Sequence, residues 1–391
     1  MRILPIAGAN LPLARIMAAF PGLFTNNKYQ LLLKNEIFNL IDKNHIFFLN
    51  SGLASFYLIL KCLKKKSERT EVILPAYTAG SLVVAIKKAG LKPVLCDISM
   101  NDFNMDRIQL EKIVTGQTLA IVGVHMFGIV SRYYHDLINE YPNVHIIEDC
   151  AQAFGSKYRG SMVGNLTNTS FFSFNRGKNL PTFSGGCIAT NDNHLAQLLT
   201  REMQNMPQMS MRYTLDALFK MLMLAVIINP LLYGIFFKIL NRFKELKPPS
   251  EIDMKTYSDL QAKMAMDLLK IYEKSAEARY RNGIKIIAAL KERPGFILPK
   301  INEYSWPVFN RFPLVVTDND RKFRLEENLL KAGFETSRMY MQPLHHMFKL
   351  GYEKKDFPKA KFLAENLITL PVHPLMKEKH IEKMTTIITR T

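Results

Sequence analysis

The stretch "VHIIEDCAQAFGSKYRG" (residues 144–160) runs from an apolar segment into Glu148-Asp149 and then into a polar loop that carries Gln152. A short apolar run closed by acids and followed by a glycine-containing loop reads as a buried strand ending at Asp149. The rhythm extends to both sides: "EVILP" (71–75), "KPVLCDI" (92–98), "LAIVGVHMF" (119–127), "SFFSF" (170–174) and "GCIAT" (186–190) are further candidate strands with amphipathic stretches between them. That alternation predicts an α/β fold, a mostly parallel sheet flanked by helices. Ligands of such sheets collect beyond the carboxyl ends of the strands, where Asp149 lies. Alone, Asp149 reads more readily as a helix-capping aspartate than as a ligand residue.

One helix is predicted from Ser51 to about Lys64, capped by Asn50 or Ser51, and another, "AGSLVVAIKKAG", ends at Gly90. The region 259–292 carries apolar residues at helical spacing and reads as a long connector. Beyond it, "RFPLVV" (311–316) is strand-like, and helical stretches follow. A chain of 391 residues is long for one core. The expected division is a large domain over 1–250 and a connector helix with a smaller α+β domain over 251–391.

The formal charge of +18 favours anionic partners. Nucleic acid is not among them, since no zinc-finger spacing or basic-aromatic block is present. Cys62, Cys96, Cys150 and Cys187 are scattered through apolar runs without a CxxC pair, as in a reduced cytoplasmic protein. Pro5, Pro12 and Arg15 interrupt any signal-peptide core.

Lys178, in "FFSFNRGKNLPTFSGG" (171–186), stands between aromatic runs just ahead of a glycine pair. An ammonium group beside so much apolar surface sheds its charge or finds a partner. Lys178, Ser173 five residues before it, Asp149 and the helix start at Ser51-Gly52 would converge on a cofactor with an aldehyde, a ring nitrogen and a phosphate, namely pyridoxal 5′-phosphate (PLP).

At this point the chain resembles the sugar aminotransferases named for DegT, DnrJ, EryC1 and StrS, of PLP-transferase fold type I. The matching residues are Ser51-Gly52 with Ala54, "VILPAYT" (72–78), "KPVLCDIS" (92–99), "VHMFG" (124–128), "IEDCAQAFGSKYRGSMVG" (147–164), "FSFNRGKN" (172–179), "GG" with "ATND" (185–192), "DLQA" (259–262), "PLH" (343–345) and "LPVHP" (370–374). The resemblance implies that Lys178 holds PLP through its amine and shuttles the substrate proton. Asp149 would pair with the pyridine nitrogen and Gln152 with the ring hydroxyl. Ser173 and the backbone from Ser51 through Gly52 and Leu53 to Ala54 would hold the phosphate. It also implies a homodimer that transfers nitrogen from an amino acid, glutamate first, to a keto-sugar in polysaccharide or glycolipid biosynthesis. A PLP-binding scaffold or regulator without transamination is the alternative.

The chain departs from the family at Leu53, at Ala79 in place of a ring-stacking aromatic, at Ser184 in place of an acid, and over 253–258. Tyr77 could take the stacking role only if its loop were rearranged. Arg338 suits a carboxylate or phosphate, or a surface salt bridge. His345 and His373 read as structural or substrate-lining, with no metal-ligand spacing around them.

The largest departure is the segment 215–249, within an apolar insertion at about 213–247; between Lys220 and Lys238 lie seventeen uncharged residues, broken by Asn229-Pro230. As one helix these would span ~25 Å against ~30 Å of hydrocarbon. Two readings stand. One is insertion of a helical pair into an anionic leaflet through Leu222, Leu224, Ile227, Leu231, Leu232, Ile235 and Phe236, flanked by Lys220, Lys238, Arg242, Lys244 and Lys247. The other is a buried pair in the core or at a dimer interface. The continuous apolar run and basic flanks favour the first, which would place a cytoplasmic enzyme on the inner face of the cell membrane with a lipid-linked acceptor within reach.

Overall fold

The computed structural model describes residues 2–8, 12–242 and 249–391, with the backbone alone over 238–242. Seven strands build the main sheet: β1 (His45–Leu49), β2 (Glu71–Pro75), β3 (Lys92–Cys96), β4 (Thr118–Val124), β5 (His145–Asp149), β6 (Thr169–Ser173) and β7 (Gly186–Thr190), in the order β1-β7-β6-β5-β4-β2-β3. Neighbours are parallel except where β7 runs against β1 and β6. Every residue of β4 is buried, which is why these strands read as continuous apolar runs rather than alternating ones. All six predicted strands are present. "KPVLCDI" stops at Cys96, and "LAIVGVHMF" gives way after Val124 to a short 3-10 turn over Met126–Gly128. The strand β1 has no counterpart among the sequence expectations.

The reversed β7 gathers chain ends. Its first residue, Gly186, pairs with Leu49 at the end of β1 and with Ser173 at the end of β6. A Cβ on Gly186 would lie 2.4 Å from the Ser51 carbonyl carbon and oxygen, so only glycine admits this approach. Directly after β1, helix α1 (Gly52–Lys64) starts as expected at Ser51, whose hydroxyl accepts from the Ala54 amide at 3.0 Å. Phe56, Ile59, Leu60 and Leu63 bury its inner face, each worth about 1.5–3 kcal/mol.

Two insertion helices, α2 (Met211–Ile227) and α3 (Pro230–Arg242), are followed by α4 (Asp259–Leu269) and α5 (Tyr272–Leu290). The single connector expected over 259–292 is therefore two helices. Ile271 leaves helical geometry at φ −113°, ψ 4°. The break lets the Tyr272 hydroxyl donate to the Phe154 carbonyl at 2.8 Å, over Gly155, where a Cβ would stand 1.0 Å from that hydroxyl. A smaller antiparallel sheet follows, with β8 (Phe296–Ile297), β9 (Phe312–Val316) and β10 (Leu367–Leu370) in that order. The chain's first residues bond to segments outside its strands: the Leu4 amide donates to the Gly333 carbonyl at 2.8 Å, and His373 Nε2 donates to the Pro5 carbonyl at 2.7 Å.

Candidate active site

A cavity of about 430 Å³ opens at the carboxyl edge of the main sheet, within the ~300–1,000 Å³ common for small-molecule sites. Ser51, Gly52 and Leu53 line it from the start of α1, Asp149 from the end of β5, and Ser173 from the end of β6. Lys178, Asn175 and Ser184 line it from the β6–β7 loop. A Cβ on Gly52 would meet that of Ser173 at 2.7 Å, so the helix start and the serine are in close contact. The first amides of a helix have no partner inside it, which makes this wall a natural anion cradle.

The loop that carries Lys178 is tied down along its length. The Phe174 amide donates to the Gly185 carbonyl at 2.9 Å, and the Thr182 amide to the Phe174 carbonyl at 2.8 Å. Asn179 Nδ2 donates to the carbonyls of Phe154 and Val308, each at 3.2 Å. Phe174 and Leu180 are buried beneath, and the Thr182 and Tyr257 hydroxyls meet at 2.5 Å. The aromatic neighbours of Lys178 thus act as anchors.

Burial lowers the Lys178 pKa to about 8, the Asp149 carboxylate pulls it back up, and Arg311 pushes it further down. Burial raises the Asp149 pKa, opposed by the Ala151 amide, which donates to Oδ1 at 2.9 Å, and then by Lys178. A reactive amine and a buried acid that gains from a nearby cation therefore share one cavity with a hydroxyl and a helix start. That donor set fits PLP, with its aldehyde, protonated ring nitrogen and phosphate.

The DegT/DnrJ/EryC1/StrS aminotransferase family profile matches residues 16–389. The chain belongs to this family. Its cofactor is PLP. A dTDP-3-amino-3,6-dideoxy-α-D-galactopyranose transaminase of Aneurinibacillus thermoaerophilus is 28% identical over 323 residues, covering 82% of this chain and 78% of that one. A dTDP-3-amino-3,4,6-trideoxy-α-D-glucose transaminase of Streptomyces venezuelae is 27% identical over 350 residues, covering 88% and 80%. The crystal structure of S. venezuelae DesV in complex with a ketimine intermediate superposes at a TM-score of 0.80, with 22% identity over 100% of this chain and 98% of that one.

Other residues singled out in this aminotransferase's sequence lie elsewhere. Ala54 is buried behind the cap and bonds to Ser51. Gln152 is buried behind the cavity wall: its Oε1 accepts from the Phe127 amide at 3.3 Å and its Nε2 donates to the Tyr340 hydroxyl at 3.4 Å. Tyr77 is not in a stacking position. It is fully buried, donates to the Met339 carbonyl, accepts from the Tyr340 amide, and meets the Tyr340 ring edge-on. Arg338 takes the salt-bridge reading: it forks onto Glu326, with Nε at 2.9 Å from Oε1, and covers the Phe323 ring at 4.6 Å. His345 is buried against Phe357 and His346, outside the cavity lining.

Two wall elements escaped the sequence reading. Pro249, Glu251, Ile252 and Asp253 line the cavity of their own chain, and so does Tyr213 at the root of α2. Asn50 holds that segment, with Nδ2 donating to the Asp253 carbonyl at 3.0 Å. Ala79 also lines the cavity. Finally, Gln261 of "DLQA" donates to the Ser184 hydroxyl at 2.9 Å.

The insertion folds as a helical pair bent by 100°. Among the described residues, no single helix is long and apolar enough to cross a membrane. Thr214, Ala217, Leu218 and Met221 bury one face of α2, while Leu215, Phe219, Met223 and Val226 stand exposed on the other. Leu231, Ile235 and Phe236 extend the exposed row on α3, whereas Leu222, Leu224, Ile227 and Leu232 are half-buried flanks. The outward stripe is thus shifted from the set chosen by sequence, because α2 turns one side onto the protein. Lys220 pairs with Asp216 at 2.6 Å and covers the Phe183 ring at 5.7 Å, so it is not a free basic flank. The side chains of Lys238 and Arg242, and all of Lys244 and Lys247, lie outside the described residues.

Proposed function

We propose that this aminotransferase works as a homodimer that moves the amino group of an amino acid, glutamate by preference, onto the ketone of a sugar carried by a lipid or nucleotide. The observation that carries the reading is Lys178, lowered to about 8 by burial and held by an anchored loop opposite Asp149. Bound PLP supplies the electron sink that lets a carbon–hydrogen bond next to nitrogen be broken. Lys178 holds the cofactor and, once freed, moves the proton at the substrate carbon in each half-reaction. Asp149 keeps the ring nitrogen protonated, and Ser173 with the start of α1 holds the phosphate. The donor leaves as its 2-oxo acid, the acceptor as its amine.

The exposed stripe on α2 and α3 supports docking of the enzyme on the cytoplasmic side of an anionic membrane. A net charge of +18 and the basic residues that close the insertion in the sequence match such a surface. Tyr213 at one root of the insertion and Pro249, Glu251, Ile252 and Asp253 at the other also line the cavity, which supports a link between cavity and stripe. A lipid-linked acceptor fits that arrangement.

The test runs the second half-reaction backwards. Amino sugars linked to a nucleotide, or to a lipid in vesicles, are mixed with the PLP-loaded protein while its absorbance is followed. Loss of the lysine-bound cofactor signal with one of these, and not with simple amines, supports the reading. Response to none of them, in a protein that amino acids do load, rejects a sugar acceptor.

A further inference from the structure

Once PLP has its holders, part of the cavity wall is still without a role. Tyr213 at the root of α2 and Glu251, Ile252 and Asp253 at the far root of the insertion line it and have no part in the cofactor scheme above. Tyr213 is half-buried and firmly held: its amide donates to the Ser210 hydroxyl at 3.3 Å, and Lys255 Nζ stands over its ring, 5.1 Å from the centre. Lys255 is fixed in turn, by Asp253 Oδ2 at 2.8 Å and by the Asn50 amide, which donates to the Lys255 carbonyl at 3.0 Å. Phe171, the other aromatic residue of the lining, is 2% exposed and stacked on Phe56. Tyr213 is therefore the accessible ring of this cavity among the described residues.

The charges of the wall decide what can lie against that ring. Lys178 is the one cation among the described lining residues, and the cofactor takes it; Asp149, Glu251 and Asp253 are the acids. Asp253 is engaged by Lys255 and Asn50. Glu251 is exposed and, among the described residues, has no ion-pair or hydrogen-bond partner. A chain of net charge +18 thus lines the approach to its cofactor with a free carboxylate and, among the described residues, with no free cation. A carboxylate accepts hydrogen bonds, donates none, and repels a like charge.

We propose that Tyr213 and Glu251 form the subsite for the acceptor's sugar, and that the ring brought there is uncharged and rich in hydroxyls. This rests on the sugar-acceptor reading above. A pyranose has an apolar face of C–H bonds and a rim of hydroxyl groups. The face suits the apolar body of a tyrosine ring, and the rim suits a carboxylate with acceptor sites to spare. An acid group on the sugar would meet Glu251 with no cation between them. The phosphates of a lipid or nucleotide carrier lie beyond the sugar ring, where the field of the cationic chain speeds their approach without a bond in the cavity.

The test follows the amino-sugar half-reaction of PLP-loaded protein with two probes: an amino hexose, on whichever carrier wild type accepts, and the same compound with C6 oxidised to a carboxylate. Wild type should favour the hexose in kcat/KM by at least about 10-fold, and Glu251→Gln should bring the two probes within about 3-fold of each other. Tyr213→Leu should raise KM for the hexose by at least about 10-fold with a smaller change in kcat, and Tyr213→Phe, which keeps the ring, by less than about 3-fold. The KM for glutamate is the reference and should rise less than that for the hexose in each variant. Retained absorbance of the lysine-bound cofactor shows that the variants fold. A wild type that prefers the acid, an unaltered preference in Glu251→Gln, or a Tyr213→Leu variant that affects glutamate and hexose alike overturns the proposal. If neither amino sugar reacts while glutamate does, the sugar reading itself fails and the subsite with it, a result distinct from a changed preference.

Discussion

Gln261 Nε2 donates to the Ser184 hydroxyl at 2.9 Å and to the Ser184 carbonyl at 3.0 Å, pinning the loop before the glycine pair to helix α4. The same amide also reaches the Thr182 carbonyl at 3.2 Å, and Gln261 Oε1 accepts from Ser258 at 2.9 Å. Replacing Gln261 by leucine strands these buried groups, at a cost of about 1–3 kcal/mol. Urea denaturation should show a lower midpoint with an unchanged slope, and PLP should bind more weakly because the Lys178 loop loosens. An unaltered midpoint would mean that the loop is held by its other bonds alone.

Asp149→Asn keeps shape but removes the anion. PLP should still attach to Lys178, while amino transfer falls by about 100-fold or more, ~2.7 kcal/mol at the barrier. The Asp149 charge also raises the Lys178 pKa. Its loss should therefore move the pH profile of cofactor capture to lower pH. A shift to higher pH would contradict the placement of the two groups.

His373 is buried neutral, with its pKa lowered to about 3, chiefly by burial. Its ordinary value is 6.5, so between those pH values the unfolded chain binds a proton that the folded one does not. Stability from this group is complete above pH ~6.5 and is lost as pH falls toward 3, with a slope of at most about 1.4 kcal/mol per pH unit. His373→Gln, which can still donate to the Pro5 carbonyl, should unfold less steeply with acid than wild type. Parallel stability curves for the two proteins between pH 7 and pH 4, a window set by these values, would refute the assignment.

The exposed stripe gives a fourth expectation. Phe219 and Ile235 are 63% and 68% exposed, so serine there should leave folding and PLP capture unchanged. Co-sedimentation with vesicles rich in anionic lipid should drop at least about 10-fold, the equivalent of ~1.4 kcal/mol, and binding to zwitterionic vesicles should be weak throughout. If the double variant instead changes oligomeric state with vesicle binding unaltered, a second copy covers the stripe.

The main sheet was legible because β2, β4, β5 and β6 are buried on both faces and so appear as unbroken apolar runs. Ser51, Asp149, Ser173 and Lys178 were legible because each ends a strand, follows one or opens a helix. What stayed hidden depends on distant partners. The break at Ile271 carries no glycine or proline; it exists because Tyr272 must reach Phe154. Arg338 met Glu326 from a neighbouring helix, and Tyr77 met Tyr340 from far along the chain. No local spacing encodes either pair. β1 was missed because five apolar-leaning residues between a helix and a capping serine carry no alternation to distinguish strand from helix.

The most direct test of the central claim is the pH dependence of cofactor capture by Lys178. Apoprotein is mixed with PLP across the pH range, reduced with borohydride, and the modified lysine identified by mass spectrometry, with Lys178→Ala in parallel. Expected is a single adduct at Lys178 whose rate of formation rises with pH and levels off near pH 8, where the amine is free. Glutamate added before the reductant should abolish that adduct. An adduct on other lysines, a rate that keeps climbing toward the ordinary lysine value of ~10.4, or an adduct that survives in Lys178→Ala would contradict the assignment.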